Sequence, residues 1–431
     1  MSHLVAKNAY KKMEERLNKF PQGAPSSETL YKILSILFSE KEAELVCQLP
    51  IMPFTIKTAS KIWNLDILAT EKILDELAGR AILLDSEHQG IRKYVLPPPM
   101  AGFFEFSMMR TRHDIDQKLL SELFYQYLNI EEDFIKDLFL GSETRLGRIF
   151  VQEEVLSRDN LVSILDHEKA THIIETASCI GISMCYCRHK MAHLGMACDA
   201  PMEICMTFNN VAKSLVNHGF ARKVEISECK ELLYKAYEYN LVQCGGNVRK
   251  NVSFICNCCG CCCEAMVAAK KFGMLHPVQT TSYIPKIDKE KCTGCGKCAE
   301  SCPIEAIEWT PDNSEINITS RKEVKINEAI CLGCGVCIRT CQNNCITLEK
   351  RKEQIITPVN SVHRIVLMAI EKGKLQELIF ENQYFANHRA MAALLSTILK
   401  SSPVKRLMAS KQMKSIYLDK LLNRKNNINF F

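Results

Sequence analysis

Residues 292–302 read CTGCGKCAESC, and residues 331–341 read CLGCGVCIRTC. Both runs have the spacing C-x2-C-x2-C-x3-C, and the second begins 39 residues after the first. Glycines recur at matched positions inside the runs, namely Gly294, Gly296, Gly333 and Gly335. Glycine tolerates the positive φ angles that a chain needs to turn tightly around a bound group. The repeat therefore predicts a small module made of two related halves.

The cysteine spacing fits the ligation of iron–sulfur clusters. Three thiolates two residues apart can bind three irons of one cubane, and the fourth iron needs a thiolate from elsewhere. The module resembles bacterial-type two-cluster ferredoxins, small βαβ repeats in which the last cysteine of each run ligates the other cluster. The resemblance implies two [4Fe–4S] clusters, one held by Cys292, Cys295, Cys298 and Cys341, the other by Cys331, Cys334, Cys337 and Cys302. Zinc, which four-cysteine sites also bind, is the competing metal.

The module departs from the common ferredoxin pattern at two positions. Gln342 follows the second run where Pro303 follows the first, and Cys345 stands where the first half has Ala306. We expect Cys345 to be a packing residue rather than a ligand. The linker between the runs is long, and alternating apolar residues within 307–326 predict an extended hairpin there.

A second field of cysteines lies upstream, in two patches. Free cysteine packs as a small hydrophobe and has no reason to cluster, so the field predicts a further metal or iron–sulfur site. Its candidate ligands are Cys185, Cys187, Cys198, Cys205, Cys256, Cys258, Cys259 and Cys261. Adjacent residues of an extended chain point to opposite sides, so Cys261, Cys262 and Cys263 are not expected to serve one metal together.

Two other residues of this field are Arg188, which is open to several interpretations, and Cys244. Arg188 could set a positive charge against an anionic cluster, bind an anionic substrate, or be a plain surface cation. Cys244, like Cys47, Cys179 and Cys229, is isolated in the sequence and is predicted to be structural. The order of a C-x-C-R run, a CNCC-x-CCC run and a ferredoxin module resembles multi-cluster iron–sulfur proteins of anaerobic prokaryotes, for which no role carries over.

The composition is that of a soluble protein of several domains, with 431 residues, 47% hydrophobic and 24% charged, since single cores rarely exceed about 250–300 residues. No apolar run reaches the ~18 residues that a membrane span needs, and the N-terminus lacks the apolar core of a secretory signal. We therefore expect a cytoplasmic protein. In that reducing compartment, 23 cysteines favour metal ligation over disulfides.

The predicted fold class is a multidomain α+β protein with mostly helical N-terminal and middle regions. We expect a winged-helix-like domain, a helical domain, a Cys-rich domain, the dicluster module and a basic helical tail, at residues 1–100, 101–180, 181–284, 285–350 and 351–431. Apolar spacing further predicts a hairpin after Arg80 and helices over 201–218, 228–240 and 361–422. The tail from Lys350 carries 15 Lys/Arg against 5 Asp/Glu. It suits an acidic partner, a nucleic acid or a membrane surface, and equally a solvated helix.

The motifs that are present and absent limit the functions to be expected. Neither a dinucleotide-binding G-x-G-x-x-G nor a P-loop is present, so no NAD, flavin or ATP site is expected by those routes. The first hypothesis is an electron-transfer protein or oxidoreductase subunit that relays single electrons between protein partners. One alternative is an oxidoreductase with a catalytic cluster in the upstream field, and another is a redox-sensing transcription regulator. Against the regulator, residues 66–80 hold four acidic and two basic side chains, whereas DNA phosphates need a basic face.

Overall fold

The computed structural model describes residues 2–155, 166–273, 276–309, 324–352, 357–380 and 386–400. Helices alternate with small antiparallel sheets along the chain, which agrees with the predicted α+β class. Within these ranges, every helix falls short of the length and apolar character that a bilayer crossing needs.

The N-terminal hundred residues form a helical unit with a three-stranded sheet. The apolar residues that recur at helical spacing point inward, and Leu30, Ile33, Leu34 and Leu37 are all at most 2% exposed. Ser27 starts their helix by accepting a hydrogen bond from the backbone N–H of Leu30. The helices are Ser2–Leu17, Glu28–Leu37, Glu40–Val46, Ile56–Trp63 and Ile67–Gly79, and the strands are Phe54–Thr55, Leu84–His88 and Ile91–Val95.

The hairpin predicted after Arg80 is present, and it lies slightly later than the sequence indicated. Leu84–His88 pairs antiparallel with Ile91–Val95 around a turn at Gln89 and Gly90, where both residues have positive φ. Phe54–Thr55 adds a third strand on the other side of Ile91–Val95. The winged-helix assignment itself stays a prediction.

A six-stranded antiparallel sheet lies in the middle region of the chain. The sequence predicted that this region would be mostly helical. Its strands in spatial order are Gly147–Ile149, Val242–Gly246, Phe254–Cys258, Glu203–Phe208, Ile180–Met184 and Arg222–Lys223. The helix predicted over 201–218 is wrong in its first part, because Glu203–Phe208 is a strand and the helix begins at Asn209. That strand is buried on both faces, and such a run has no period that distinguishes it from a buried helix.

Helices cover this sheet, and the helix predicted over 228–240 is observed as Ile226–Glu238. Gly147–Ile149 belongs to the segment predicted as a helical domain, yet it pairs with Val242–Gly246, so the two middle segments share one sheet. The other α-helices in the described part of residues 101–280 are Phe104–Phe106, Gln117–Tyr125, Asp133–Leu140, Ala170–Thr176, Tyr186–His193, Asn209–Asn217 and Glu264–Lys271. Shorter π- and 3-10-helical turns lie at Pro99–Phe103, Gln126–Ile130, Glu153–Val155 and Asp166–Glu168.

In its described residues, the cysteine module has two short helices and two pairs of strands. The predicted linker hairpin is confirmed, with Ile307–Trp309 antiparallel to Val324–Ile326. The outer strands Tyr283–Ile287 and Ile346–Lys350 also pair, and the helices are Lys297–Glu300 and Val336–Arg339. After the module come helices Ser361–Glu371, Leu375–Ile379 and Ala386–Lys400. The part of the predicted helical tail beyond residue 400 lies outside the described residues.

The helix at the position expected for DNA recognition spans Ile67–Gly79 and is capped by Asp66. Arg80, one of two cations in this segment, is already paired with Glu42. At the start of the helix, Ile67 is 45% exposed and Leu68 is 78% exposed. An acidic helix with an exposed apolar end suits a protein surface better than phosphate.

We predict that the full chain does not bind DNA with sequence selectivity. Filter binding on anaerobic protein at low salt, where electrostatic attraction is strongest, should show no preference among duplex sequences. Weak retention that is lost in the double variant Lys405→Gln/Arg406→Gln would trace to the basic tail. Tight, sequence-selective binding that changes on oxidation would instead establish a regulator.

Candidate metal centres

Two backbone hydrogen bonds cross between the halves of the cysteine module at matching positions. The N–H of Asp288 donates to the carbonyl of Cys345 at 2.8 Å, and the N–H of Asn327 donates to the carbonyl of Ala306 at 2.8 Å. The two bonds are related by the 39-residue offset of the sequence repeat. The segment that leads into each cysteine run is therefore hydrogen-bonded to the backbone of the other half.

The loops between the cysteines have the backbone that the glycines predicted. All four glycines have positive φ, which is 69° at Gly294, 81° at Gly296, 71° at Gly333 and 91° at Gly335. The second glycine of each run precedes a short helix, and these two helices meet where the hydroxyls of Ser301 and Thr340 lie 3.0 Å apart. Ser301 and Thr340 are again related by the repeat offset, so the module has an approximate two-fold axis.

The first set of predicted ligands surrounds one small cavity. Cys292, Cys295, Cys298 and Cys341 all line it, which brings the last cysteine of the second run to the first run. Cys295 is exposed and Cys298 is buried. Cys345, predicted to be a packing residue, is buried but lies against this set, with its Sγ 3.3 Å from that of Cys341.

The second set is more enclosed. Cys331 and Cys337 are buried, Cys334 is partly buried, and the charge of Cys302 acts on both Cys331 and Cys334. Burial raises the pKa of Cys334 to about 12. The Sγ of Cys302 accepts a hydrogen bond from the N–H of Ala306 at 3.2 Å, a contact that favours the thiolate form. Two sets of four thiols fit the [4Fe–4S] clusters that the resemblance to two-cluster ferredoxins implies.

The cysteines of the upstream field lie in two groups, and the metal site predicted there stays a prediction. The first group, which we name the outer tetrad, is Cys198, Cys259, Cys261 and Cys262, whose sulfurs all lie within 4.8 Å of one another. The Cys261–Cys262 and Cys198–Cys262 sulfur distances are 3.7 Å and 4.0 Å. A tetrahedral ion with metal–sulfur bonds of about 2.3 Å needs sulfur–sulfur edges of about 3.8 Å. The tetrad is thus spaced for one metal ion.

The second group lies inside the protein. Seven cysteines other than Cys259 line one cavity, and we name them the inner thiols: Cys185, Cys187, Cys205, Cys244, Cys256, Cys258 and Cys263. Cys244 was predicted to be an isolated structural residue, but it is paired with Cys256 across neighbouring strands. Of the three consecutive cysteines, Cys261 and Cys262 belong to the outer tetrad, whereas Cys263 lines the inner cavity.

The loop that carries these cysteines packs directly on the module. An ideal Cβ on Gly260 would lie 2.5 Å from the carbonyl oxygen and 3.0 Å from the Cα of Pro303, the residue that follows Cys302. Such distances leave room only for glycine at position 260. The upstream field and the more enclosed ligand set of the module are therefore in backbone contact.

We predict that Gly333→Ala lowers both stability and iron content. The position has positive φ, and a Cβ would lie 2.1 Å from the carbonyl oxygen of Tyr283. Gly373→Ala is the matched control, because Gly373 has φ +64° but no atom within 4 Å of a Cβ. The control should lose about 1–2 kcal/mol of unfolding free energy, measured in urea without oxygen, and keep its iron. Equal behaviour of both variants would contradict the packing of this loop.

Comparison with known proteins supports the module alone. Residues 291–345 match the family model of the 4Fe-4S dicluster domain. The chain is also similar to one component of the Na(+)-translocating ferredoxin:NAD(+) oxidoreductase complex of Acetobacterium woodii, with 48% identity over 33 residues. That match covers 8% of this chain and 10% of the relative. Residues 291–345 of this multi-cysteine chain are therefore a 4Fe-4S dicluster domain.

Proposed function

We propose that this protein relays single electrons between redox protein partners through two [4Fe–4S] clusters in its dicluster domain. The observation that carries the proposal is the exchange of a thiol between the halves. Cys341 lies with the ligands of the first run, and Cys302 lies with those of the second. When bound, each cluster accepts and donates one electron.

The two ligand sets differ in their exposure to solvent. At the first set, exposed Cys295 brings the ligands to the surface, where a partner could approach closely. At the second set, burial and the contact between Gly260 and Pro303 keep the ligands away from water and next to the upstream field. Solvent exposure and N–H···S hydrogen bonds both tune reduction potential, so the two sets are built for different potentials.

An alternative function also has a specific observation in its favour. An iron–sulfur oxidoreductase would need a reactive centre in the upstream field, and buried Arg188 lies where its charge acts on thiols of both cysteine groups. The short similarity to a component of an oxidoreductase complex fits either a carrier or a subunit. Copurification of a partner that reduces the protein in a one-electron step would favour the relay, whereas turnover of a small substrate by the isolated chain would favour the enzyme.

We predict at least eight irons and a similar amount of acid-labile sulfide per chain in anaerobically purified protein, since two complete sets of four thiols are present. Iron and sulfide analysis, with electron paramagnetic resonance after dithionite reduction, gives the measurement. Stoichiometric zinc without sulfide would refute the assignment.

The fourth ligand of the first set gives a sharper test. Cys341→Ala should remove about half of the module's iron, because the other three ligands cannot complete a cubane. Cys345→Ala is the matched control, with its Sγ 3.3 Å from that of Cys341, and it should retain the full complement. The reverse outcome would show that Cys345 is the fourth ligand.

A further inference from the structure

Four of the inner thiols project from one face of the six-stranded sheet. Cys256 and Cys258 are two residues apart in one strand, so they point to the same side. Cys244 is directly opposite Cys256 on one neighbouring strand, and Cys205 contacts Cys256 from the strand on the other side. Three adjacent strands thus contribute thiols to a single patch.

The other three inner thiols close over this patch. Cys185 and Cys187 lie at the start of helix Tyr186–His193, and Cys263 immediately precedes helix Glu264–Lys271. Cys263 contacts both Cys187 and Cys258, which joins the cover to the sheet. All seven thiols surround a cavity of about 100 Å³. One water needs about 10–15 Å³ of such space, so the chamber accommodates a group several times larger.

Arg188 places a buried positive charge at this chamber. Its side chain lines the cavity and the residue is 0% exposed. Two of its nitrogens donate to the carbonyls of Pro201 at 2.8 Å and Asn257 at 2.6 Å, while its Nε has no hydrogen-bond partner in the described part of the chain. A buried cation is costly unless an anion compensates it.

Nearby carboxylate charge does not provide that compensation. Glu264 and Glu105 also line the cavity. Glu264 is held by a buried ion pair with Lys190 and by a hydrogen bond from Asn129 at 2.9 Å. Glu105 accepts a hydrogen bond from a backbone N–H at 3.0 Å. No salt bridge of Arg188 occurs among the described residues. The guanidinium is therefore placed for an anionic group inside the chamber, which the thiolate ligands of a metal cluster would supply.

The spacing of the inner thiols decides between one ion and a cluster. Across the described ranges, the outer tetrad is the one group of three or more metal-ligating side chains that converges within 4.8 Å. The inner thiols are spread more widely around their cavity, as ligands on separate irons are. Soft thiolate ligands select iron–sulfur clusters, zinc or Cu(I) over hard cations.

We propose that the seven inner thiols and Arg188 form a binding chamber for a polynuclear iron–sulfur cluster, which adjoins the outer tetrad at Cys259 and is distinct from the dicluster domain. The chamber offers more thiols than the four that one cubane uses, so a subset binds it or a larger cluster fills it. This site is independent of the relay function, since none of its residues belongs to the ligand sets of the module.

The first test needs no variant. Crystals of the full chain grown anaerobically should show iron-edge anomalous peaks inside the chamber, in addition to peaks at the module. Peaks in the chamber without peaks at the module would support the chamber and refute the proposed relay. A zinc-edge signal alone in the chamber, or no metal there, would overturn the chamber proposal.

The second test uses variants in solution. The double variant Cys256→Ser/Cys263→Ser should lose at least about four irons per chain and retain the eight of the module. Cys229→Ser is the control, because Cys229 is 0% exposed but lies in a different part of the core with no other cysteine, and it should keep all its iron. Cys198→Ser should likewise spare the chamber iron. Iron content that is equal in the double variant and the wild type would overturn the proposal.

Discussion

The dicluster domain depends on a backbone exchange between its halves. The segment that leads into each run is tied to the other half: the N–H of Asp288 donates to Cys345, and the N–H of Asn327 donates to Ala306. The same geometry moves Cys302 and Cys341 to the opposite runs. Because each half is completed by the other, the domain is expected to fold as one cooperative unit rather than as two independent metal loops.

The dicluster domain packs against the upstream loop that carries several of the other cysteines. Gly260 lets the backbone of the upstream cysteine loop approach Pro303 without a side chain between them. On the opposite side of the same loop, Cys258 and Cys263 turn into the chamber, while Cys261 turns out toward the tetrad. A single short loop therefore connects three groups of thiols through direct packing, and Arg188 lies buried within reach of two of them.

Sequence reasoning succeeded where the information is local. The runs at 292–302 and 331–341 specify their own turns, and the observed positive φ of their glycines follows from the spacing alone. Sequence reasoning failed where the pairing of strands decides which residues become neighbours. Cys244 gains its neighbours only because its strand lies beside Phe254–Cys258, and the burial of Arg188 depends on carbonyls supplied by distant segments. The proximity of Cys345 to Cys341 likewise arises from a turn whose shape the sequence did not reveal.

The enclosure of the inner thiols also constrains how the protein is made. The thiols come from residues 185 to 263, so the chamber exists only after the sheet has assembled. Cys205, Cys244, Cys258 and Cys263 are buried once it has. Access to these four thiols is therefore greatest before helix Tyr186–His193 packs over the sheet. On the proposed assignment, insertion of the cluster is linked to the folding of this region, because the thiols from separate strands and helices come together only as the chain folds.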